Sequence, residues 1–175
     1  MKTGTVGLVI GLGVAAFSVA QSDEKAATPR AATAAVAVRT LDEARRQAEV
    51  LHTTMHATLQ IVHHRYYQED EGLLLPAATL KEVFAEVEKE HGIKLRWLAV
   101  EGQVMNTDHT ARDEFELEAV KALQSGKPDY ERVEKGVYRR AGPITLSNHC
   151  LKCHVPDRKS TEDRTAGLII SMPVK

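Results

Sequence analysis

Residues 40–68 read TLDEARRQAEVLHTTMHATLQIVHHRYYQ, and this stretch decides the N-terminal half of the fold. Thr40 followed by Glu43 forms a capping box, which begins a helix by satisfying free backbone N–H groups. Apolar side chains then recur every three or four residues, which places them on one face of a helix. They are Leu41, Ala44, Ala48, Leu51, Met55, Leu59 and Val62. The stretch predicts one long helix whose apolar face is a core face or, as the alternative, a dimer seam.

Upstream of this helix, the sequence has the layout of an export signal followed by a linker. Lys2 precedes an uncharged, apolar run over residues 3–20, which ends in a small-x-small sequence at Ala20. We expect a secretory signal peptide that is cleaved after Ala20; the alternative is an uncleaved membrane anchor. The predicted domain organisation is a signal peptide over residues 1–20, a flexible Ala- and Thr-rich linker over residues 21–39 and one domain over residues 40–175.

Downstream of residue 68, helices and strands follow one another without a β-α-β repeat. A capping box that begins at Thr79 predicts a short helix ending at Gly92. Thr110 with Asp113 predicts the start of a third helix, which Gly126 caps. Strands are predicted over residues 93–100, 104–105, 130–138, 144–146 and 166–172, with turns at 101–103 and 141–143. Helices first, then strands around one helix, favour an α+β fold with an antiparallel sheet.

Composition narrows the classes of function. The chain has 175 residues, and its 23 Lys and Arg nearly balance 24 Asp and Glu, for a net charge of −1. No nucleic-acid surface is expected, because neutralising phosphates needs a clustered excess of Lys and Arg. The two cysteines are too few for a disulfide scaffold.

The motif that carries chemistry is Cys150-Leu151-Lys152-Cys153-His154. C-x-x-C-H is the attachment signature of c-type haem. Two thiols three positions apart reach the two vinyl groups of one porphyrin edge, and the next residue offers an imidazole nitrogen to the iron. The motif predicts one covalent haem c, held by Cys150 and Cys153, with His154 as the proximal iron ligand. An export signal agrees with this, because c-type attachment takes place outside the cytoplasm.

Three other interpretations of the motif stay open. An exported thiol-disulfide oxidoreductase would use Cys150 to attack and Cys153 to resolve, with His154 lowering the thiol pKa. A zinc-binding domain would combine both cysteines with one or two histidines. A structural disulfide across so short a loop would add little closure entropy.

The distal ligand of a haem iron is expected from the long helix. His52, His56 and His63 fall within about 40° of one another around the helix axis, beside the apolar face. They cannot all bind one iron, because His52 and His63 are separated by about 16 Å along the axis. We expect His63 as the distal ligand and His56 as the alternative, with Met55 and Met105 as further candidates.

Basic and aromatic side chains are the other expected contacts. Haem propionates are anionic and favour arginine, so the candidates are Arg139, Arg140, Arg158 and Arg164. Trp97 and Tyr66-Tyr67 are candidates for packing on the porphyrin or for a core or rim position. His64 is expected to point away from the other helix histidines, and His149 is expected to contribute little.

Several stretches together resemble a family of exported, c-haem-binding domains with a PAS-like fold. They comprise residues 51–60, 66–67, 95–98, 113–116, 138–144 and 150–154. The resemblance implies a central antiparallel sheet, an N-terminal helical extension, haem between sheet and helices, and a distal ligand from the upstream helix. Some members use a cysteine there, and His63 would take the equivalent place in this chain.

The sequence thus predicts a periplasmic, or otherwise exported, monohaem c-type cytochrome rather than an enzyme. It would act in single-electron transfer or in redox or gas sensing. The expected partner is a redox protein or a small gas or redox ligand, with membrane contact only if the N-terminal segment stays uncleaved. The chain contains no kinase, helix-turn-helix or cyclase signature, which favours electron transfer over sensing. Peroxidase activity, with His56 as the acid/base group, is a further alternative.

Overall fold

The computed structural model describes most of the chain from residue 38 onward. The described residues are 38–67, 71–102, 104, 106–155 and 159–175, with the side chain of Cys153 left out. The predicted signal peptide, nearly all of the predicted linker, Met105 and Arg158 lie outside these ranges. Within them, no helix combines the length and hydrophobicity that a membrane crossing requires.

The described residues form four α-helices and a four-stranded sheet. In chain order the elements are α1 Leu41–Tyr66, α2 Pro76–His91, β1 Lys94–Leu98, a 3₁₀ helix Thr107–His109, α3 Glu114–Gln124, β2 Tyr130–Glu134, β3 Val137–Leu146, α4 Asn148–His154 and β4 Arg164–Pro173. The strand order is β1-β4-β3-β2, and all neighbouring strands are antiparallel. The α+β prediction, with an antiparallel sheet and a long N-terminal helix, is confirmed.

The sheet is covered by helices on both faces. One face packs against α1 and α2 through a core that includes Met55, Phe84 and Ile170. The other face packs against α3 through a second core that includes Phe115 and Ile169. Ile169 and Ile170 are neighbours in β4, and they serve opposite cores because successive strand side chains point to opposite faces.

The long helix α1 begins and packs as its sequence predicts. The Thr40 hydroxyl accepts from the Glu43 backbone N–H at 3.3 Å, and the Glu43 carboxylate accepts from the Thr40 N–H at 2.8 Å. Ala44 and Ala48 are fully buried, and Met55 is buried with them in the core beneath α1. The apolar stripe is therefore a core face rather than a dimer seam.

The predicted turn at residues 141–143 is wrong, because these residues lie inside β3. The hairpin turn is instead Lys135-Gly136, where φ is 51° and 74°, between β2 and β3. Two successive positive φ angles give the turn type that joins twisted antiparallel strands most readily. The single strand predicted over 130–138 is consequently two strands.

Strand β3 tolerates Gly142-Pro143 because its second half has a neighbour on one side only. The β2 partner ends at the Tyr130–Ala141 pair, whereas β4 pairs with β3 as far as Leu146. Proline lacks the N–H that a ladder needs, and it is found where one side of a strand has no partner. The missing donor of Pro143 therefore costs no ladder hydrogen bond.

Side chains of α1 cover this open part of β3. His52 Nε2 lies 2.9 Å from the Pro143 carbonyl oxygen, which accepts its hydrogen bond. His56 Nε2 accepts from the Thr145 N–H at 3.3 Å, and Gln60 donates to the Thr145 carbonyl at 2.7 Å. These three side chains are spaced four residues apart and so share one helix face. We call His52, His56 and Gln60 the edge-covering row.

The remaining boundaries differ in detail from the sequence prediction. Helix α2 begins at Pro76, with Leu75 as its N-cap, rather than at the predicted Thr79 box. Proline suits a first helical position because its fixed φ is helical and its missing N–H would have no partner there. Asp113, without Thr110, caps α3, and Gly126 follows it with φ 79°. Val104 lies outside any strand, so the strand predicted at 104–105 is not found there.

Candidate functional site

A cavity of about 490 Å³ opens on the sheet face that α1 and α2 cover. Its wall combines the last turns of α1, the first turns of α2, the ends of β1 and β3, and α4. Most of the wall is apolar, with Leu59, Leu75, Trp97, Ile144 and Leu146 among its side chains. Pockets of this size and character hold cofactors and other small molecules.

The C-x-x-C-H motif forms α4 and reaches this wall. Cys150 and His154 are four residues apart, so they share one helix face, and both line the cavity. Leu151 is fully buried and anchors the short helix on the protein. The Cys150 sulfur lies 3.7 Å from the Ser147 hydroxyl. Burial lowers the pKa of the half-buried His154.

A glycine lets the loop after β1 approach the end of α4. Gly102 has φ 85°, in the left-handed region that favours glycine. A Cβ there would lie 2.8 Å from a Val155 methyl group and 3.2 Å from the His154 carbonyl oxygen. The backbone carrying His154 is therefore packed closely against this loop.

Histidine 63, the predicted distal ligand, also lines the cavity. It comes from the last turn of α1, and its ring centroid is 5.0 Å from that of Tyr67, four residues further on. Burial is the main cause that lowers the His63 pKa, and the nearby His149, His154 and His64 lower it further. Cys150, His154 and His63 thus reach one cavity from two elements that are far apart in sequence.

The structure places His52 and His56 elsewhere. Neither belongs to the cavity wall, since both form the edge-covering row against β3. The nitrogen that His56 would offer to an iron already accepts the Thr145 N–H. The geometry therefore gives no support to His56 as the alternative distal ligand. The angles around the helix axis correctly placed His52, His56 and His63 on one face. They did not show that β3 would contact His52 and His56 and leave only His63 of the three at the cavity.

Three further histidines line the cavity, although the sequence prediction gave them little or no weight. His64 and His149 lie next to each other with ring centroids 5.4 Å apart, and they also line a neighbouring cavity of about 360 Å³. His109 comes from the 3₁₀ helix after β1. His64 follows His63 directly, so both sit where α1 meets α4. No local pattern marks His109, because its position depends on how the loop folds back.

Arg139 and Arg140 lie away from the cavity wall. Arg139 contacts Asp113 at 2.7 Å and Glu116 at 3.2 Å on the α3 face, and its guanidinium lies over the Phe115 ring at 4.2 Å. Arg140 pairs with Asp129 at 2.9 Å. These ion pairs give both arginines a structural role, and the expectation that they hold propionates is not supported. Arg164 is absent from the wall as well and contacts Ser160 at 3.4 Å.

The aromatic candidates divide between the wall and the surface. Trp97 is 7% exposed, lines the cavity and donates its indole N–H to the Ala77 carbonyl at 3.0 Å. Its ring also packs on Phe84 at 4.9 Å, so it is both a core and a wall residue. Tyr67 lines the cavity, whereas Tyr66 is 67% exposed.

The zinc interpretation predicts a cluster of metal-ligating side chains. Among the side chains that the structure describes, no three from His, Cys, Asp and Glu lie close enough to hold a metal ion together. The Cys153 side chain is outside this description.

The protein is an α+β domain in which helices pack on both faces of the sheet. It has a mostly apolar cavity whose wall includes a cysteine thiol and histidine imidazoles. The Tll0287-like family matches residues 37–170, and the chain belongs to that family. The fold is similar to the crystal structure of the cyanobacterial haem protein Tll0287, with a TM-score of 0.55 and 14% sequence identity. The match covers 77% of this chain and 96% of the other. No curated protein matches the sequence significantly.

Proposed function

We propose that this protein is an exported monohaem c-type cytochrome that acts in single-electron transfer. Cys150 and Cys153 would hold the haem covalently, His154 would be the proximal ligand and His63 the distal ligand. The observation that carries the proposal is one cavity whose wall includes Cys150 and His154 from α4 and His63 from α1. Membership of the Tll0287-like family and the likeness to a haem protein support it.

The residues on the wall fit a haem. Porphyrin is a large apolar ring, and the mostly apolar cavity of about 490 Å³ is within the usual range for cofactor pockets. Imidazole is a common axial ligand on either side of a haem iron. Trp97 adds an aromatic surface that is already fixed by its hydrogen bond to Ala77. The Cys150 thiol reaches the same space without any change in α4.

The chain's own part in this function is to position ligands and exclude water. When bound, haem iron supplies a one-electron redox couple and an axial coordination site. Leu151 fixes α4, and with it Cys150 and His154, on the protein core. The wall is kept apolar by Leu59, Ile144 and Leu146. An apolar surrounding limits solvent access and lowers the local dielectric constant, which affects the redox potential of a bound haem. No catalytic reaction is part of the proposal.

An alkaline pyridine haemochrome spectrum tests covalent attachment. The protein would be exported from a host competent in cytochrome c maturation. We expect the thioether-haem α band, surviving acid-acetone extraction, in wild type but not in the Cys150→Ala/Cys153→Ala double variant. His91→Ala, on the exposed end of α2, is a control substitution outside the motif and should retain the thioether-haem α band. A correctly matured wild type without haem would overturn the proposal and direct attention to zinc content and thiol exchange.

Electron paramagnetic resonance tests the axial ligands separately. His63→Ala should convert a low-spin ferric signal to high spin, while His56→Ala should leave it unchanged. His154→Ala should lose proximal ligation yet keep a covalent porphyrin. An open sixth position in wild type that binds CO or NO would favour gas sensing over electron transfer, and a low-spin His63→Ala would remove His63 from its role.

Export is part of the same proposal. We propose cleavage after Ala20, which leaves a mature chain that begins at Gln21. The intact mass of the purified protein tests this, because a retained N-terminal segment adds the mass of twenty residues. A retained segment would favour a membrane anchor. The proposed partner is a redox protein, and neither nucleic acid nor substrate is expected.

A further inference from the structure

One corner of the cavity wall is polar and cationic. Lys81 from α2 lines it together with Asn106 and His109 from the segment after β1. The Lys81 ammonium lies 4.0 Å from an Asp108 carboxylate oxygen, with 43% and 68% of the two side chains exposed. Asp108 also contacts Arg112 at 3.9 Å. A long, exposed contact that is shared with a second cation compensates the lysine charge only weakly.

A second cation lies behind this corner. Arg96 donates to the Asp108 carbonyl at 2.6 Å and to Glu116 at 2.9 Å. Glu116 also accepts from Arg139, so two guanidinium groups meet one buried carboxylate. Burial lowers the pKa of His109, and the positive charges of Lys81 and Arg96 lower it further. Each of these two cations affects the His109 pKa more than the Asp108 carboxylate, which raises it.

The His109 ring has a nitrogen that the protein leaves without a partner. Its Nε2 is buried and makes no hydrogen bond with the described residues. A buried polar atom without a partner is unfavourable, and a ligand in the cavity can contribute the missing partner. The carboxylate on the same wall, Glu101, is already engaged, because it accepts the Thr165 N–H at 2.6 Å.

We infer that Lys81 and His109 form a carboxylate-binding corner of the cavity and hold a propionate of the bound haem. Lysine supplies a positive charge, and a neutral imidazole supplies an N–H donor, which together suit a carboxylate. The inference rests on the proposed function for the identity of the carboxylate. It assigns to this corner the role that the sequence suggested for Arg139 and Arg140, which lie in ion pairs elsewhere.

Porphyrin binding to the full chain, produced without haem maturation, tests the inference directly. Metal-free protoporphyrin IX and its dimethyl ester would be titrated by fluorescence, so that no iron ligation contributes and only the carboxylates differ. We expect wild type to prefer the free acid by about tenfold, the scale of one charge-assisted hydrogen bond. Lys81→Met and His109→Leu should each lose most of this preference. Lys89→Met is the matched control on α2, since Lys89 pairs with Glu86 at 3.0 Å and lies off the wall, and it should retain the preference.

The outcomes separate this inference from the proposed function. Equal binding of both porphyrins by wild type, or an unchanged preference in both corner variants, would overturn the inference. Resonance Raman spectra of the mature protein keep the test valid if the unloaded chain does not fold. There, His109→Leu should shift the propionate bending modes while the ferric spin state stays the same, whereas a changed spin state would make His109 an iron ligand instead. A matured wild type without haem contradicts the proposed function itself.

Discussion

The two faces of the sheet are built from different chemistry. On the α3 face, Leu98, Phe115 and Leu123 pack tightly around one buried charged cluster, in which Glu116 joins Arg96 and Arg139. On the α1 face, five histidines are among the side chains that line a cavity of about 490 Å³. The face against α3 therefore secures the fold, and the face against α1 can keep space for a bound molecule.

Glu116→Gln should have the largest effect on this division. Glu116 is 4% exposed, so the variant removes the buried carboxylate that Arg96 contacts and leaves Arg139 with Asp113. We expect the free energy of unfolding to fall by about 3 kcal/mol. Chemical denaturation measures this loss. Glu118→Gln, whose carboxylate makes a surface pair with Lys121, is the control and should cost less than about 1 kcal/mol. Similar losses in both variants would show that the α3 face does not depend on its buried charge.

Gly142→Ala should have the next largest effect, on the opposite face. A Cβ there would lie 2.6 Å from the His52 ring, so the ring would have to shift and give up its hydrogen bond to Pro143. Overpacking of this kind costs about 2 kcal/mol. A double-mutant cycle with His52→Ala isolates the contact, because the added methyl group should cost much less once the ring is gone. Strictly additive losses would place the strain somewhere other than between α1 and β3.

The stability of the α1 face should depend on pH, because His52 and His56 of α1 contact β3. Burial lowers the pKa of His52 and of His56 below the ordinary value of 6.5. The unfolded chain therefore binds protons first as the pH falls, and stability that is complete above pH 6.5 declines below it. His56 must also be neutral to accept the Thr145 N–H.

Urea unfolding of wild type and of His56→Gln, between pH 8 and pH 5, measures this dependence. Glutamine offers an oxygen acceptor that does not titrate in this range, so the variant should lose less stability on acidification. His91→Gln, on the exposed end of α2, should follow wild type. An unchanged slope in His56→Gln would mean that His56 does not contribute to the acid sensitivity.

Arg140→Gln should have the smallest effect of the four. Arg140 pairs with Asp129 at 2.9 Å, and we expect a loss of about 1 kcal/mol in the free energy of unfolding. Because the side chain lies off the cavity wall, the propionate bending modes of the mature protein should not change. Lys81→Met provides the contrast, since it should alter those modes. A shift of the propionate bending modes in Arg140→Gln would indicate that Arg140 contacts a propionate after all.

Local signals predicted the parts of the fold that depend on local interactions. The capping box at Thr40 and the periodicity of α1 are short-range, and both are present as expected. Gly142-Pro143 misled the prediction because its place in β3 depends on β2 ending early, which is a property of the sheet. The I′ turn at Lys135-Gly136 was the signal that the prediction overlooked.

The candidate site was predicted in part for the same reason. The motif singled out Cys150 and His154, the histidines of the long helix pointed to His63, and all three line the cavity. Which α1 histidines face the cavity depends on the position of β3 beside α1. That position is set by the assembly of the sheet, so the local sequence pattern does not predict it. His109 reaches the wall through a loop, and Lys81 through the docking of α2, so neither has a local signature.

The uneven lengths of β2 and β3 also bear on intermolecular strand pairing. An exposed strand edge is a template on which another chain can add a strand, and such additions seed aggregation. Here the uncovered end of β3 has its free carbonyl and N–H groups occupied by His52, His56 and Gln60 of α1. The long helix α1 therefore blocks strand pairing between molecules at this edge. A truncation that removes these α1 side chains would expose the end of β3 to pairing with another chain.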